Sequence, residues 1–104
     1  MKLSSTETIA NQTISETLGI ARGSTVRSRN IGRDIFASLK NIVGGEIEEY
    51  TKLQADAREQ ALKRMISDAQ RLGADAVVNV RFTTSVVAQG ASEMLAYGTA
   101  VKLK

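Results

Sequence analysis

Met94-Leu95-Ala96-Tyr97-Gly98-Thr99-Ala100-Val101-Lys102-Leu103 decides how this chain folds. Leu95, Tyr97, Val101 and Leu103 share one parity; Met94, Ala96, Gly98 and Ala100 share the other. Successive side chains of a strand point to opposite faces, so neither face of this strand is polar. An antiparallel sheet with helices on one side normally keeps a solvated second face. A strand apolar on both parities is therefore expected to be buried on both. Helices of its own subunit cover one face, and a second subunit is expected to cover the other.

Working outward, Val78, Val80 and Phe82 alternate with Asn79, Arg81 and Thr83, the period of a half-buried strand. Gln89-Gly90-Ala91-Ser92 is turn-like, which joins the two strands as a hairpin. Upstream, Tyr50, Leu53, Ala57, Ala61, Leu62, Met65, Ile66, Ala69 and Leu72 form the apolar face of a helix over 48–72. Gly73 is its natural C-cap. Ile31, Ile35, Leu39, Ile42 and Val43 predict a first helix over 31–43, with Asn30 as N-cap and Gly44-Gly45 as stop. Ile14, Leu18 and Ile20 share a parity in a first strand over 13–22, where Gly19 and Gly23 mark a bulge or a close backbone contact. Residues 6–10 are expected to add a short edge strand. The expected fold class is α+β: a two-layer single domain over 1–104, with an antiparallel sheet packed on two helices.

Composition narrows the function classes. The chain has 104 residues, no Cys, no His and no Pro. Disulfides, thiolate metal sites and imidazole metal sites are thereby excluded. A domain this small often needs a staple, and partner subunits are the one that remains. The net charge of +3 is mild, and Phe36, Phe82, Tyr50 and Tyr97 are the only aromatics. Single-strand nucleic-acid surfaces stack bases on several aromatics, so no nucleic-acid partner is expected. No signal-peptide pattern and no apolar run of membrane-spanning length occur, so no membrane partner is expected and the location is expected to be cytoplasmic.

Several segments together resemble the YbjQ-like family of small bacterial proteins, which carries a heavy-metal-binding label. They are Asn30-Ile31 with Arg33-Asp34, Gly44-Gly45 with Tyr50, Ala57-Arg58, residues Leu72 to Val78, and Gly98-Thr99-Ala100-Val101. The resemblance implies a β-α-β-β subunit, similar to a dodecin-like layer. It also implies a closed homo-oligomer, a pentamer ring. Glu46 stands where the family often has a basic residue.

Without Cys or His, the commonest general base and the best nucleophile are missing, and no nucleophile motif occurs. The chain is not expected to be an enzyme, and no cofactor is expected. Glu46, Glu48 and Glu49 are the only candidates for a hard cation. Complementing the positive end of a helix dipole explains them without a metal, so no metal site is expected. Residues 22–40 set five cations against the single acid Asp34. Among them Arg27, Arg29 and Arg33 flank Asn30 at a helix start, where free amides favour anions. They form either a small-molecule or anion site or ion pairs across a subunit interface, and the interface is preferred because arginines are enriched there. Asp75, at a helix-to-strand joint, is expected to cap a turn. The leading expectation is a non-enzymatic homo-oligomeric assembly or binding module.

Overall fold

The computed structural model describes residues 1–27, 48–88 and 91–104. The elements in chain order are β1 (Lys2–Leu3), β2 (Ile14–Arg27), α1 (Glu48–Arg71), β3 (Ala76–Ala88) and β4 (Ala91–Leu103). The sheet order is β1-β3-β4-β2. The three long strands pair antiparallel, while β1 runs parallel to β3 at the edge. The fold class is α+β, as expected, with a mixed sheet. The helix expected over 31–43 and the turn at Gln89-Gly90 lie outside the described residues.

Helix α1 stops where the sequence places the stop. Gly73 takes a φ of +83°. Its amide donates to the Gln70 carbonyl, and the Ala74 amide donates to the Ala69 carbonyl, each at 3.0 Å. This is a Schellman cap, which satisfies carbonyls that the helix leaves free. The helix lies across β2 and β4, with Ala57, Ala61, Met65 and Ala69 buried beneath it. The facing strand residues are small: Ala21, Gly23, Ala96, Gly98 and Ala100. A Cβ on Gly23 would collide with the Met65 backbone nitrogen and stand 2.5 Å from the Ala61 carbonyl oxygen. Helix and strand backbones touch there, which only Gly permits.

Four register shifts interrupt the strand ladders among the described residues, and three of them bear on the expected faces. One lies between Thr17 and Gly19 in β2, where Leu18 turns toward the helix and Ile20 turns away, 69% exposed. The single parity expected for Ile14, Leu18 and Ile20 is thus broken, because a bulge inserts one extra residue and flips the facing of those after it. Another shift lies between Ile14 and Glu16. In β3, Asn79 and Val80 both stand between the paired residues Val78 and Arg81. Asn79 has a φ of +54°, a left-handed conformation that Asn tolerates better than most residues. Val78 consequently faces away from α1 while Val80 packs toward it.

The face away from α1 has its own small core. Ala76, Val78 and Val101 are buried there, and Ile9, Ile14 and Leu103 pack against them. The expectation that only a second subunit covers this face is corrected over that half of the sheet: the chain's own N-terminal segment does so. The segment is tied to β3 by Ser4 amide to Val77 carbonyl, Val80 amide to Ser4 carbonyl and Asn79 amide to Thr6 carbonyl, all 2.9–3.0 Å. Residues 5–8 form bends and residue 10 enters a turn, in place of the expected strand; the edge strand is Lys2–Leu3.

Candidate functional site

β2 is the sheet's edge strand on the helix side, and α1 covers that edge with side chains. Asp68 Oδ2 accepts the Arg22 amide at 3.0 Å, and an Arg64 guanidinium nitrogen donates to the Ser24 carbonyl. Residues 64 and 68 are one helical turn apart, so both reach the same edge. Unpaired edge groups invite another strand, and here two are already satisfied. Asp68 Oδ1 also pairs with Arg71 at 2.8 Å. That hydrogen bond, with the Arg22 amide second, holds the Asp68 carboxyl below its ordinary value.

Asp75, expected to cap a turn, instead ties that joint to the end of β4. Its Oδ2 accepts the Leu103 amide at 2.9 Å, and its Oδ1 lies 3.6 Å from the Lys102 ammonium. The Leu103 amide first, and Lys102 after it, keep this carboxyl below its ordinary value. Asp68 and Asp75 are therefore held ionised, as structural acceptors.

At the other edge the cover provided by the described residues ends part-way along β3. The backbone hydrogen bonds from the N-terminal segment reach Val80. Beyond it, Arg81, Phe82, Thr83, Thr84, Ser85 and Val86 are all exposed, on both faces of the sheet. Phe82 is 42% and Val86 80% exposed on the α1 side, where they oppose Ala96 and Ser92. On the other face Ile20, Val26 and Tyr97 are exposed. Tyr97 there stands between Arg22 of β2 and Arg81 of β3, in one cross-strand row.

The sequence-predicted site is placed only in part. Arg27 ends β2 opposite Ser92. Its side chain, and the whole of Arg29, Asn30, Arg33, Asp34 and Glu46, lie outside the described residues. Glu48 and Glu49 open α1 at its positive end, the position their charge favours. Among the described residues no three His, Cys, Asp or Glu side chains converge as a metal site would require. Sequence reasoning passed over the thioethers, which are soft ligands. Met65 is fully buried in the core, and Met94 packs against it with the Thr84 hydroxyl 3.4 Å from its sulfur. It also passed over the Arg22–Tyr97–Arg81 row, because residues 22, 81 and 97 meet only through strand register.

A family model described as "Putative heavy-metal-binding", the YbjQ model, matches residues 1–104. A protein of Halorubrum lacusprofundi is 59% identical over 104 residues and covers 100% of both chains. One of Archaeoglobus fulgidus is 60% identical over 102 residues, covering 98% of this chain and 94% of its own. One of Photobacterium profundum is 59% identical over 98 residues, covering 94% and 95%. All three are named UPF0145 protein. Such relatives occur in archaea as well as bacteria, a wider range than the bacterial one the resemblance implied. A crystal structure from Pediococcus pentosaceus, described as a protein of unknown function of the DUF74 family, shares the fold with a TM-score of 0.65 at 14% identity. That likeness covers 100% of this chain and 98% of the other. On the full-length family match and these relatives, the chain belongs to the YbjQ-like family.

Proposed function

We propose that this chain is a non-catalytic, homo-oligomeric assembly or binding module of the cytoplasm, without nucleic acid or membrane as partner, and that it assembles as a closed ring of five. The reading rests on the distal half of β3. Residues 81–86 are exposed on both faces of the sheet. Long strands need a covered face to be stable, since an isolated hairpin is marginal in water. Phe82 and Val86 place two large apolar groups on the α1 side of that strand. Ile20 and Val26 place two more on the opposite face. Two separate apolar surfaces suit a head-to-tail contact, in which one copy's first patch covers the next copy's second, and such contacts close into rings. The absence of Cys and His leaves subunit contact as the available staple.

Light scattering at micromolar concentration is expected to give about five times the 11.2 kDa chain mass. A monodisperse, stably folded monomer would overturn assembly. A defined oligomer of another number would overturn the ring of five alone.

A further inference from the structure

We propose that Arg22, Tyr97 and Arg81 form a binding site for a small aromatic oxyanion, a flat ring carrying a phosphate or carboxylate. The proposal goes beyond the assembly reading and uses different arginines from those flanking Asn30. Register builds the site. Tyr97 opposes Arg22 on one side and Arg81 on the other. Paired strands lie about 4.8 Å apart, so the two arginines start about 10 Å apart with the Tyr97 ring between them. Residues directly opposed across paired strands share a face, and all three are exposed.

Neither arginine of the row has an ion-pair partner among the described residues, although the Arg22 charge is partly offset by Asp68. The ion pairs found there are Arg71–Asp68 and Lys102–Asp75. Asp68 lies near Arg22 but accepts the Arg22 amide with one oxygen and pairs with Arg71 through the other. The next row toward the β3–β4 turn is Ser24, Leu95 and Thr83, and the row on the other side is Ile20, Thr99 and Val78. Neither contains an acid. The β4 acid on this face is Glu93, four residues from Tyr97 and thus about 13 Å along the strand.

Arg81 is also held in place. One terminal nitrogen of its guanidinium donates to the Ser5 carbonyl at 2.8 Å and to the Val80 carbonyl at 2.9 Å. A guanidinium carries five N–H donors, so donors remain after those bonds, on a head already fixed. Fixing a fork in advance lowers the entropy lost on capturing an oxyanion. The Tyr97 ring offers a face for stacking, with Ile20 and Leu95 in the adjoining rows on either side. A single aromatic platform suits one ring, in contrast to a strand of bases.

Phenyl phosphate supplies both halves of the ligand chemistry. In Tyr50→Phe protein, Tyr97 is the sole tyrosine, and the chain has no tryptophan. Titration with phenyl phosphate is expected to change Tyr97 fluorescence saturably, with inorganic phosphate binding more weakly. Arg22→Gln and Arg81→Gln are each expected to weaken binding by about tenfold, the loss of one charge-assisted hydrogen bond. Arg22 donates no side-chain bond to the fold among those described, so Arg22→Gln keeps the test clear of any loosening of the Ser5 contact; unfolding midpoints without ligand check both variants. Absence of a saturable change at millimolar phenyl phosphate overturns the proposal, and so does binding that neither variant weakens. Light scattering on the same samples separates this site from assembly. If Arg22→Gln lowers the assembled mass and phenyl phosphate does not bind, the row is a contact between copies and the proposal falls, while the assembly reading stands.

Discussion

Gly23 is where one methyl group decides whether helix and sheet can meet. Its missing Cβ is replaced by the backbone of α1, with Met65 N and Ala61 O inside any tolerable contact distance. Backbone cannot swing aside as a flexible side chain can. Gly23→Ala is therefore expected to destabilise the fold by about 3 kcal/mol, the upper range for overpacking. Denaturant unfolding should show a lowered midpoint with an unchanged slope if the fold is kept. Asp68 and Asp75 contribute to the acid limb of stability. Each titrates below the ordinary 3.8 in the folded chain, so the unfolded chain binds its proton more readily. Their stabilisation is complete above that value and is lost as pH falls through the folded values. Asp68→Asn should flatten the fall in unfolding midpoint between about pH 5 and pH 2; an unaltered acid limb would show that the Arg71 and Arg22 bonds contribute nothing. The Gly73 cap was legible at this scale, because caps are local. The Asp68–Arg22 bond was not, since 46 residues separate its partners.

Among the elements, α1 was the most legible. The 48–72 prediction and the observed Glu48–Arg71 differ by one residue, because helical periodicity and a Gly stop are both written locally. The strands were legible in existence and not in facing. β2 extends to Arg27, five residues past its expected end. Its bulges, with that at Asn79-Val80, reverse the faces of Ile20 and Val78. The N-terminal segment was the largest miss at this scale. Its one strongly apolar residue after Leu3 is Ile9, too little to give a period, yet it packs on Ala76, Val78 and Val101. Ile9→Ala should cost about 2 kcal/mol, the low end for truncating an aliphatic that is partly buried. A change below about 0.5 kcal/mol in chemical denaturation would mean that the segment lies on the sheet without holding it.

Over the whole molecule, the two sheet edges are treated differently. Asp68 and Arg64 satisfy backbone groups at the β2 edge, whereas among the described residues nothing pairs with the outer edge of β3 beyond Val80. The distal strand carries exposed Phe82 and Val86 and no charge from Phe82 to Ala88. An uncharged, β-prone edge is an aggregation hazard unless another chain covers it. Phe82→Lys with Val86→Lys is expected to shift the assembly toward smaller species in light scattering while the helix content seen by circular dichroism persists. An unchanged mass would place the subunit contact elsewhere. The two-sided apolar strand β4 motivated assembly from sequence, and the fold splits that motive. Val101 and Leu103 are covered by the chain itself, whereas Tyr97 stays exposed.

By itself the sequence determined the α+β class, the long helix with its Gly73 stop, the β3–β4 hairpin and the exclusion of thiolate and imidazole chemistry. These come from periodicity, caps and composition, which act within a few residues or over the whole count. Which face each strand residue takes, what covers the second face, and the shared row of Arg22, Tyr97 and Arg81 follow from the packed fold and were not written in any local pattern. Facing depends on a count of two that a single bulge resets. Coverage and cross-strand neighbours depend on register between segments far apart in the chain, to which no local pattern has access.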